Sequence, residues 1–285
     1  MKDKIKKLIT DKKLISSAAS CLFLLVAIVI VVVAVMPKGL AWFSQNKNVT
    51  GSGMSLTVRA DYMRFDDTFT AKAVMNETEI AAGTYRRDTD GKYYLLQEDE
   101  NGSATSEFDT SSGAKKSVFY DSLYPGEYIE MTFRFTCAES RRNEKSGYKL
   151  YFDGLTPGKD SAGNNTGCDT FEAGDGTNKM TYSILGIYRL EAGTYNEKGT
   201  FTPYTNAGGF LNDFTPIDND HPAPATADIY KGNWSGAEWE TLTIRLHIDL
   251  SEYNKLPGVV SNLLAEKSAR IASVVLAPDE GGENA

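Results

Sequence analysis

Histidine and cysteine are scarce in this sequence of 285 residues, which contains two histidines and three cysteines. Neither histidine belongs to an HExxH pattern, so the sequence lacks the zinc-binding helix of that class of metalloprotease. The GxSxG turn of α/β-hydrolases and the GxxxxGK[ST] phosphate loop are also absent from the sequence. We therefore identify no catalytic residue and expect that the protein is not an enzyme.

Basic residues are in deficit beyond residue 41. Residues 1–41 contain seven lysines and two aspartates, which leaves 23 basic against 36 acidic residues in the remainder, a net charge of −13. Nucleic-acid binding requires a basic surface, so we expect no nucleic-acid partner. A strong negative charge is instead typical of a domain that stays soluble by self-repulsion.

One long hydrophobic stretch is present, at residues 14–44. Residues 14–36 are uncharged and would form a helix of about 34 Å at ~1.5 Å per residue, which spans a hydrocarbon core of roughly 30 Å. Six lysines precede the stretch, and a basic flank stays in the cytoplasm. The sequence therefore predicts a transmembrane or signal helix, with everything that follows it exported.

The end of this helix contains a candidate signal-peptidase site. Gly39 and Ala41 are small residues at the two positions that such an enzyme reads, and they favour cleavage between Ala41 and Trp42. The apolar run, however, is longer than the ~7–15 residues of a usual signal peptide. Two localisations stay open: a membrane-anchored protein with an extracellular C-terminal domain, or a protein secreted after cleavage.

A family resemblance begins at the same place. Residues 39–44 read GLAWFS, and residues 48–53 read NVTGSG before a predicted strand. This arrangement resembles the N-termini of TasA- and camelysin-like exported proteins, which SipW-type signal peptidases process in Gram-positive bacteria. The resemblance covers about 20 residues and implies a structural protein of the cell surface or biofilm matrix. Camelysin-like proteins have been called metalloproteases, but this sequence offers no ligand set for that activity.

Alternating apolar and polar residues, the pattern of half-buried strands, recur beyond residue 54. The clearest examples are residues 54–64, 129–137 and 242–250. Polar segments rich in turn-forming residues separate the strands; the longest are residues 97–116, 154–179 and 202–227. We predict an all-β fold of seven to ten strands, an antiparallel β-sandwich of jelly-roll type with long loops, and one short helix at residues 259–267.

The domain organisation follows from these segments. We predict a basic flank and membrane helix at residues 1–41, a linker at 42–53, a β-sandwich ectodomain at 54–278 and a tail at 279–285. A division of the ectodomain into two subdomains near residue 155 stays open, because no linker of distinctive composition marks it.

The exported part contains two cysteines, Cys137 and Cys168. Outside the cell an even number of cysteines favours a disulfide, and this one would close a loop of about 30 residues and contribute ~3–4 kcal/mol. The alternative is two free thiols, since Cys137 ends a predicted strand on its apolar face. The sequence leaves both open.

Asp218 and Asp220 are the best metal candidates, because alternating carboxylates on a loop suit Ca²⁺. The spacing does not continue to the glycine and glutamate of an EF-hand, and an ordinary Asx turn explains the pattern equally well. We expect no cofactor, with Ca²⁺ as the alternative.

Trp234 and Trp239 lie five residues apart beside a glycine. Two such rings can form a platform that stacks on sugars, although capping one end of the hydrophobic core is the simpler interpretation.

We expect from this sequence an exported structural or adhesive β-sandwich protein that can self-assemble. The alternatives are a carbohydrate-binding surface module and, last, a secreted hydrolase. The expected partners are the membrane, a signal peptidase, and further copies of the chain or a glycan. If the chain assembles, the first strand, residues 54–64, is the element that we expect to pass between subunits; pairing within its own chain is the alternative.

Overall fold

The computed structural model describes residues 54–74, 82–90, 92–111, 113–116, 127–159, 161, 163, 166–205, 207–259, 263–264, 267–271 and 273–279. The predicted membrane helix, the cleavage site at Ala41 and Trp42, the linker and nearly all of the tail lie outside the described residues. The elements in chain order are β1 (Ser55–Val58), β2 (Met63–Val74), β3 (Gly83–Arg87), β4 (Tyr93–Glu98), β5 (Ala104–Phe108), β6 (Tyr128–Cys137), α1 (Glu139–Asn143), β7 (Gly147–Asp153), β8 (Thr170–Asp175), β9 (Asn178–Ser183), β10 (Tyr188–Tyr195), β11 (Phe201–Pro203), β12 (Gly209–Phe210), β13 (Thr226–Asn233), β14 (Glu240–Ile248) and β15 (Ser273–Pro278).

The described strands form two sheets and a separate hairpin. The large sheet has nine strands in the order β11-β10-β14-β6-β2-β3-β4-β5, with β12 also paired to β10. All pairs within it are antiparallel. The small sheet has the order β1-β15-β7-β13, and β8 pairs with β9. The all-β prediction is confirmed.

Alternation of apolar and polar residues explains why these segments form strands. In β7, Tyr148, Leu150 and Phe152 are buried while the residues between them are partly exposed. The predicted strand at 242–250 corresponds to β14, and the one at 129–137 corresponds to β6. Their apolar positions lie in the core, because one face of each strand meets other elements of the fold.

The core contains buried side chains from both sheets in one contiguous cluster. Phe133 and Phe135 of β6 and Phe152 of β7 have no solvent exposure. The rings of Phe135 and Tyr148, one from each sheet, lie edge to face with their centroids 5.2 Å apart. Aromatic contacts of this kind add to the burial of apolar surface, so the two sheets are joined through side chains of β6 and β7.

The chain departs from the predicted first strand at residues 59–62. Instead of one strand over 54–64, β1 ends at Val58, and a turn closed by a hydrogen bond from Met63 N to Ala60 O precedes β2. The turn is required because β1 belongs to the small sheet and β2 to the large one. The alternation of apolar residues continues through the turn, which is why the sequence pattern did not indicate it.

Several segments predicted as loops contain short strands. β5 lies within 97–116, β8 within 154–179 and β12 within 202–227, and β11 overlaps the start of the last of these segments. The described α-helix, α1, occupies a charged segment that the sequence predicts as a loop, whereas most of the helix predicted at 259–267 lies outside the described residues.

Strands from both sides of residue 155 pair in each sheet, β6 with β14 and β7 with β13. The division into subdomains stays a prediction.

Candidate functional site

β1 is an edge strand of the small sheet and is short, with four residues. It pairs with β15 in parallel, Leu56 opposite Val274. The Leu56 side chain is 6 % exposed and belongs to the core, while Val58 is 38 % exposed. β1 therefore contributes apolar surface to the core and presents its outer edge away from β15.

Polar contacts fix the position of β1 on both sides. The hydroxyl groups of Thr57 and Ser273 lie 3.1 Å apart, and Arg59 donates a hydrogen bond to Asp153 on β7 at 3.0 Å. On the opposite side Ser55 forms an isolated antiparallel bridge with Lys92, just before β4. β1 thus contacts both β15 of the small sheet and the residue that precedes β4 of the large sheet.

β15 lies next to β1 in the small sheet, and β1 pairs with one backbone edge of β15. In β15, Val274, Val275 and Leu276 have no solvent exposure. Without β1, the backbone N–H and C=O groups on that side of β15 would lose their partners and form an open sheet edge. Such edges pair readily with strands of other chains. The edge of β15 can therefore accept β1 from its own chain or an equivalent strand from another copy.

A second feature is a charged cluster on the face of the large sheet opposite the core, which we call the outer face. Ile129 and Met131 of β6 point into the core, and Glu130 between them points to the outer face, yet it is only 4 % exposed. Lys72 Nζ lies 2.9 Å from Glu130 Oε1, and Arg245 Nε lies 2.9 Å from Oε2. Tyr195 OH donates to Oε2 at 2.5 Å.

Strand register brings these four side chains together. Lys72 on β2 is opposite Glu130 on β6, which is opposite Arg245 on β14. Tyr195, at the end of β10, reaches across β14 to the same carboxylate. Burial raises the pKa of Glu130, but the hydrogen bonds from Tyr195, Lys72 and Arg245 outweigh it and hold the pKa below its ordinary value. Glu130 is therefore ionised at neutral pH.

Aromatic rings surround the Arg245 guanidinium. Its Cζ lies 3.9 Å from the ring centroid of Phe201 and 4.6 Å from that of Tyr128. The Lys72 ammonium lies 5.5 Å from the ring centroid of Tyr195. Cations within about 6 Å of a ring face are attracted by its quadrupole. The cluster is thus a carboxylate held by two cations, with aromatic rings packed around both.

The two tryptophans do not form the platform considered from the sequence. Trp234 is 1 % exposed and packs in the core, with its ring centroid 4.6 Å from that of Tyr148. Trp239 is half-buried and lies between the guanidinium groups of Arg64 and Arg134, each 5.1 Å from its ring centroid. Trp234 directly follows β13, and its ring packs against Phe135 of the large sheet and Tyr148 of the small sheet. It therefore caps the core, and a sugar cannot stack on both tryptophan rings.

Cys137 and Cys168 are both buried free thiols, and the disulfide considered from the sequence is absent from the structure. Cys137 ends β6, and its Sγ lies 3.5 Å from the carbonyl oxygen of Ala138. Cys168 Sγ lies 3.7 Å from the carbonyl oxygen of Arg270, and burial raises its pKa to about 12. Each sulfur therefore packs locally as an apolar group with a weak donor.

Asp218 and Asp220 belong to an Asx-type turn. Asp218 Oδ1 accepts hydrogen bonds from the backbone N–H of Asp220 at 2.8 Å and of His221 at 2.7 Å. These hydrogen bonds lower the pKa of Asp218. Among the described residues, no three histidine, cysteine or acidic side chains form a group that could hold a metal ion. The turn accounts for the alternating acidic pattern.

Sequence reasoning missed the outer-face cluster entirely. Its four members lie on four different strands, and their proximity depends on register. No helix in the described part of the chain is both long and apolar enough to cross a membrane. Comparison with known proteins finds no match to a protein-family model, to a curated protein or to a solved structure.

Proposed function

We propose that this chain is an exported structural or adhesive protein of the cell surface or extracellular matrix, and that it self-assembles by exchanging β1 between copies. Residues 14–44 supply the export signal, with cleavage between Ala41 and Trp42 by a signal peptidase. The resemblance of residues 39–53 to TasA- and camelysin-like proteins of Gram-positive bacteria supports this assignment.

The architecture that we propose for the exported part is an antiparallel sandwich with jelly-roll-like loops. The shared core supports it: Phe135 from the large sheet packs on Tyr148 from the small sheet. Two sheets joined in this way give a rigid body with few routes for local opening. A rigid body with one exchangeable strand is a suitable building block for a fibre or a surface layer.

The position of β1 is the observation that carries the proposal. β1 has four residues, lies at a sheet edge and follows the predicted linker at 42–53. Its pairing with β15 is parallel and uses main-chain hydrogen bonds, which are the same whether the strand comes from the same chain or from a neighbour. A head-to-tail exchange whose rotation does not close into a ring generates filaments.

Sedimentation of three forms of the chain tests this function. We expect the full chain in detergent micelles to form oligomers that grow with concentration, since β1 of one copy can pair with β15 of the next. A variant that lacks residues 42–60 should stay monomeric, because its β15 edge has no strand to receive. A synthetic peptide of residues 51–60 should bind that variant with one peptide per chain, and a peptide of the same composition in scrambled order should not.

Two results would contradict the proposal. One is a full chain that stays monomeric at every concentration reached. The other is a deletion variant whose oligomers are as large as those of the full chain. A variant lacking residues 280–285 is the control for shortening a terminus, and its oligomers should match those of the full chain.

A further inference from the structure

Stability alone gives a poor account of the charged cluster on the outer face. Glu130 is almost completely buried, with two cations and one hydroxyl group directed at it. Taking a carboxylate out of water carries a desolvation cost that a buried ion pair often does no more than recover. Apolar side chains at these positions would cover the sheet at no such cost. The cluster therefore suggests a second role for this face.

The buried carboxylate orients the groups around it. Tyr195 OH, Arg245 Nε and Lys72 Nζ all contact the two oxygens of Glu130, and Arg245 Nη2 also donates to Tyr195 OH at 3.1 Å. Side chains fixed in this way lose little rotamer freedom when a ligand binds. The ring of Tyr195 and the ammonium group of Lys72 are thus held in place before any ligand arrives.

Both side chains are accessible to a ligand. Tyr195 is one of three large hydrophobic side chains exposed in the described part of the chain, at 38 %. The Lys72 side chain is 50 % exposed, and its ammonium group lies beside the Tyr195 ring. Two cations face the Glu130 carboxylate, and Glu191 lies opposite Arg245 on β10 as a second carboxylate on the same face. Lys72 is therefore the exposed cation of this patch, and it lies on an ectodomain whose overall charge is strongly negative.

We propose that this part of the outer face binds an acidic polysaccharide, one whose sugar rings carry carboxylates. A tyrosine ring presents a flat apolar face on which a sugar ring can stack, with a polar rim that tolerates water. The Lys72 ammonium beside it can donate a charge-assisted hydrogen bond to the carboxylate of that sugar. A single exposed ammonium group suits a chain with one charge per sugar. It does not suit nucleic acid, whose duplex carries one charge per ~1.7 Å.

The site differs from the Trp234 and Trp239 platform in place and in chemistry. It lies on β2, β6, β14 and β10, and it selects charge as well as ring shape. It also stands independently of the assembly through β1, because the two features are on different sheets. A monomeric chain should bind the polysaccharide as well as an assembled one.

A hexamer of galacturonic acid is the probe for this site, and the same hexamer with all carboxylates methyl-esterified is its matched control. We expect the full chain in non-ionic detergent to bind the acidic hexamer in titration calorimetry and to bind the ester at least tenfold more weakly. Binding should weaken as salt is raised, because an exposed ammonium group is screened by ions.

Two lysine variants separate a binding role from a structural one. Lys72→Gln should weaken binding of the acidic hexamer about tenfold, since it removes the exposed cation while leaving Arg245 on Glu130. Lys149→Gln is the control: Lys149 also lies beside a tyrosine ring, Tyr151 at 5.9 Å, but on β7 of the small sheet. Its binding should stay within twofold of the wild type. Tyr195→Ala should abolish binding, and circular dichroism checks that each variant is folded.

The proposal is overturned if the wild type does not bind the acidic hexamer or binds the ester equally well. Equal losses for Lys72→Gln and Lys149→Gln would also overturn it, because only Lys72 belongs to the cluster and Lys149 lies on the other sheet. None of these results depends on whether the chain forms oligomers, so failure here leaves the proposed assembly to its own test.

Discussion

Replacing Trp234 with alanine distinguishes the core-capping role of this residue from a ligand-binding role. The ring is 1 % exposed and lies against Tyr148 and Phe135, with centroids 4.6 and 5.8 Å away. Removing a buried tryptophan ring usually lowers the free energy of unfolding by about 3–5 kcal/mol. Its Nε1–H finds no acceptor among the residues that the structure describes, and an unpartnered donor costs ~1–3 kcal/mol. Because the variant also removes that cost, we expect a loss of about 3 kcal/mol.

Trp239→Ala is the matched control for this variant. The Trp239 ring is half-buried and contacts Arg64 and Arg134 on the outer face. Exposed cation–π contacts contribute ~0.5–1 kcal/mol each, so we expect a loss of about 1 kcal/mol. Trp234→Phe completes the set, since it keeps an aromatic ring in the core and removes the unpartnered N–H.

Thermal unfolding followed by far-ultraviolet circular dichroism measures these differences. For an ordered part of this size, 1 kcal/mol shifts the melting temperature by about 2–4 °C. We therefore expect a decrease of about 6–12 °C for Trp234→Ala and about 2–4 °C for Trp239→Ala. Trp234→Phe should lie closer to the wild type than Trp234→Ala does. Equal decreases for the two alanine variants, or a loss below about 1 kcal/mol for Trp234→Ala, would refute the core-capping role.

Two further predictions concern ionisable groups. The folded-state pKa of Glu130 is lowered, so its ionised form stabilises the fold above the unfolded value of about 4.5, and this contribution disappears as the pH falls through the folded value. Urea unfolding should therefore show Glu130→Gln less stable than the wild type at neutral pH, with a gap that closes under acid; a gap of constant size would contradict this. Iodoacetamide should label neither Cys137 nor Cys168 in the folded chain, because both are buried. Both should be labelled after unfolding without a reducing agent, and two thiols that still resist labelling would indicate a disulfide.

The two best-predicted strands of the fold follow from simple alternation of apolar and polar residues. The predicted strands at 129–137 and 242–250 agree with β6 and β14 to within about two residues, because one face of each strand is uniformly apolar. The first strand was predicted too long, since Ala60 and Tyr62 continue the alternation through a turn that leads to a different sheet. β5 and β8 were predicted as loops because their glycine, serine and acidic residues favour turns. Their pairing with β4 and β9 outweighs this preference.

The outer-face cluster is beyond prediction from the sequence for a different reason. Lys72, Glu130, Tyr195 and Arg245 each occupy a polar position of an alternating strand, which by itself indicates only contact with solvent. Their distances depend on strand order and on register between β2, β6, β14 and β10. Register is a property of the whole sheet, so no single stretch of sequence contains it. The burial of Trp234 follows in the same way from the meeting of two sheets.

The most direct test of the proposed assembly is a disulfide between β1 of one chain and β15 of another. The hydroxyl groups of Thr57 and Ser273 lie 3.1 Å apart on these neighbouring strands. The direct register partner of Ser273 is Ser55, so the double variant described below also checks that cysteines at positions 57 and 273 can bond. Chains carrying only Thr57→Cys are mixed with chains carrying only Ser273→Cys, all with Cys21→Ser, and are then oxidised. Chains carrying Thr57→Cys with chains carrying Ser251→Cys, exposed beyond β14, are the control. Strand exchange predicts covalent heterodimers in the first mixture and none in the control. If the first mixture gives no heterodimer, while a chain with both Thr57→Cys and Ser273→Cys closes a disulfide on itself, β1 pairs only within its own chain and the proposal is wrong.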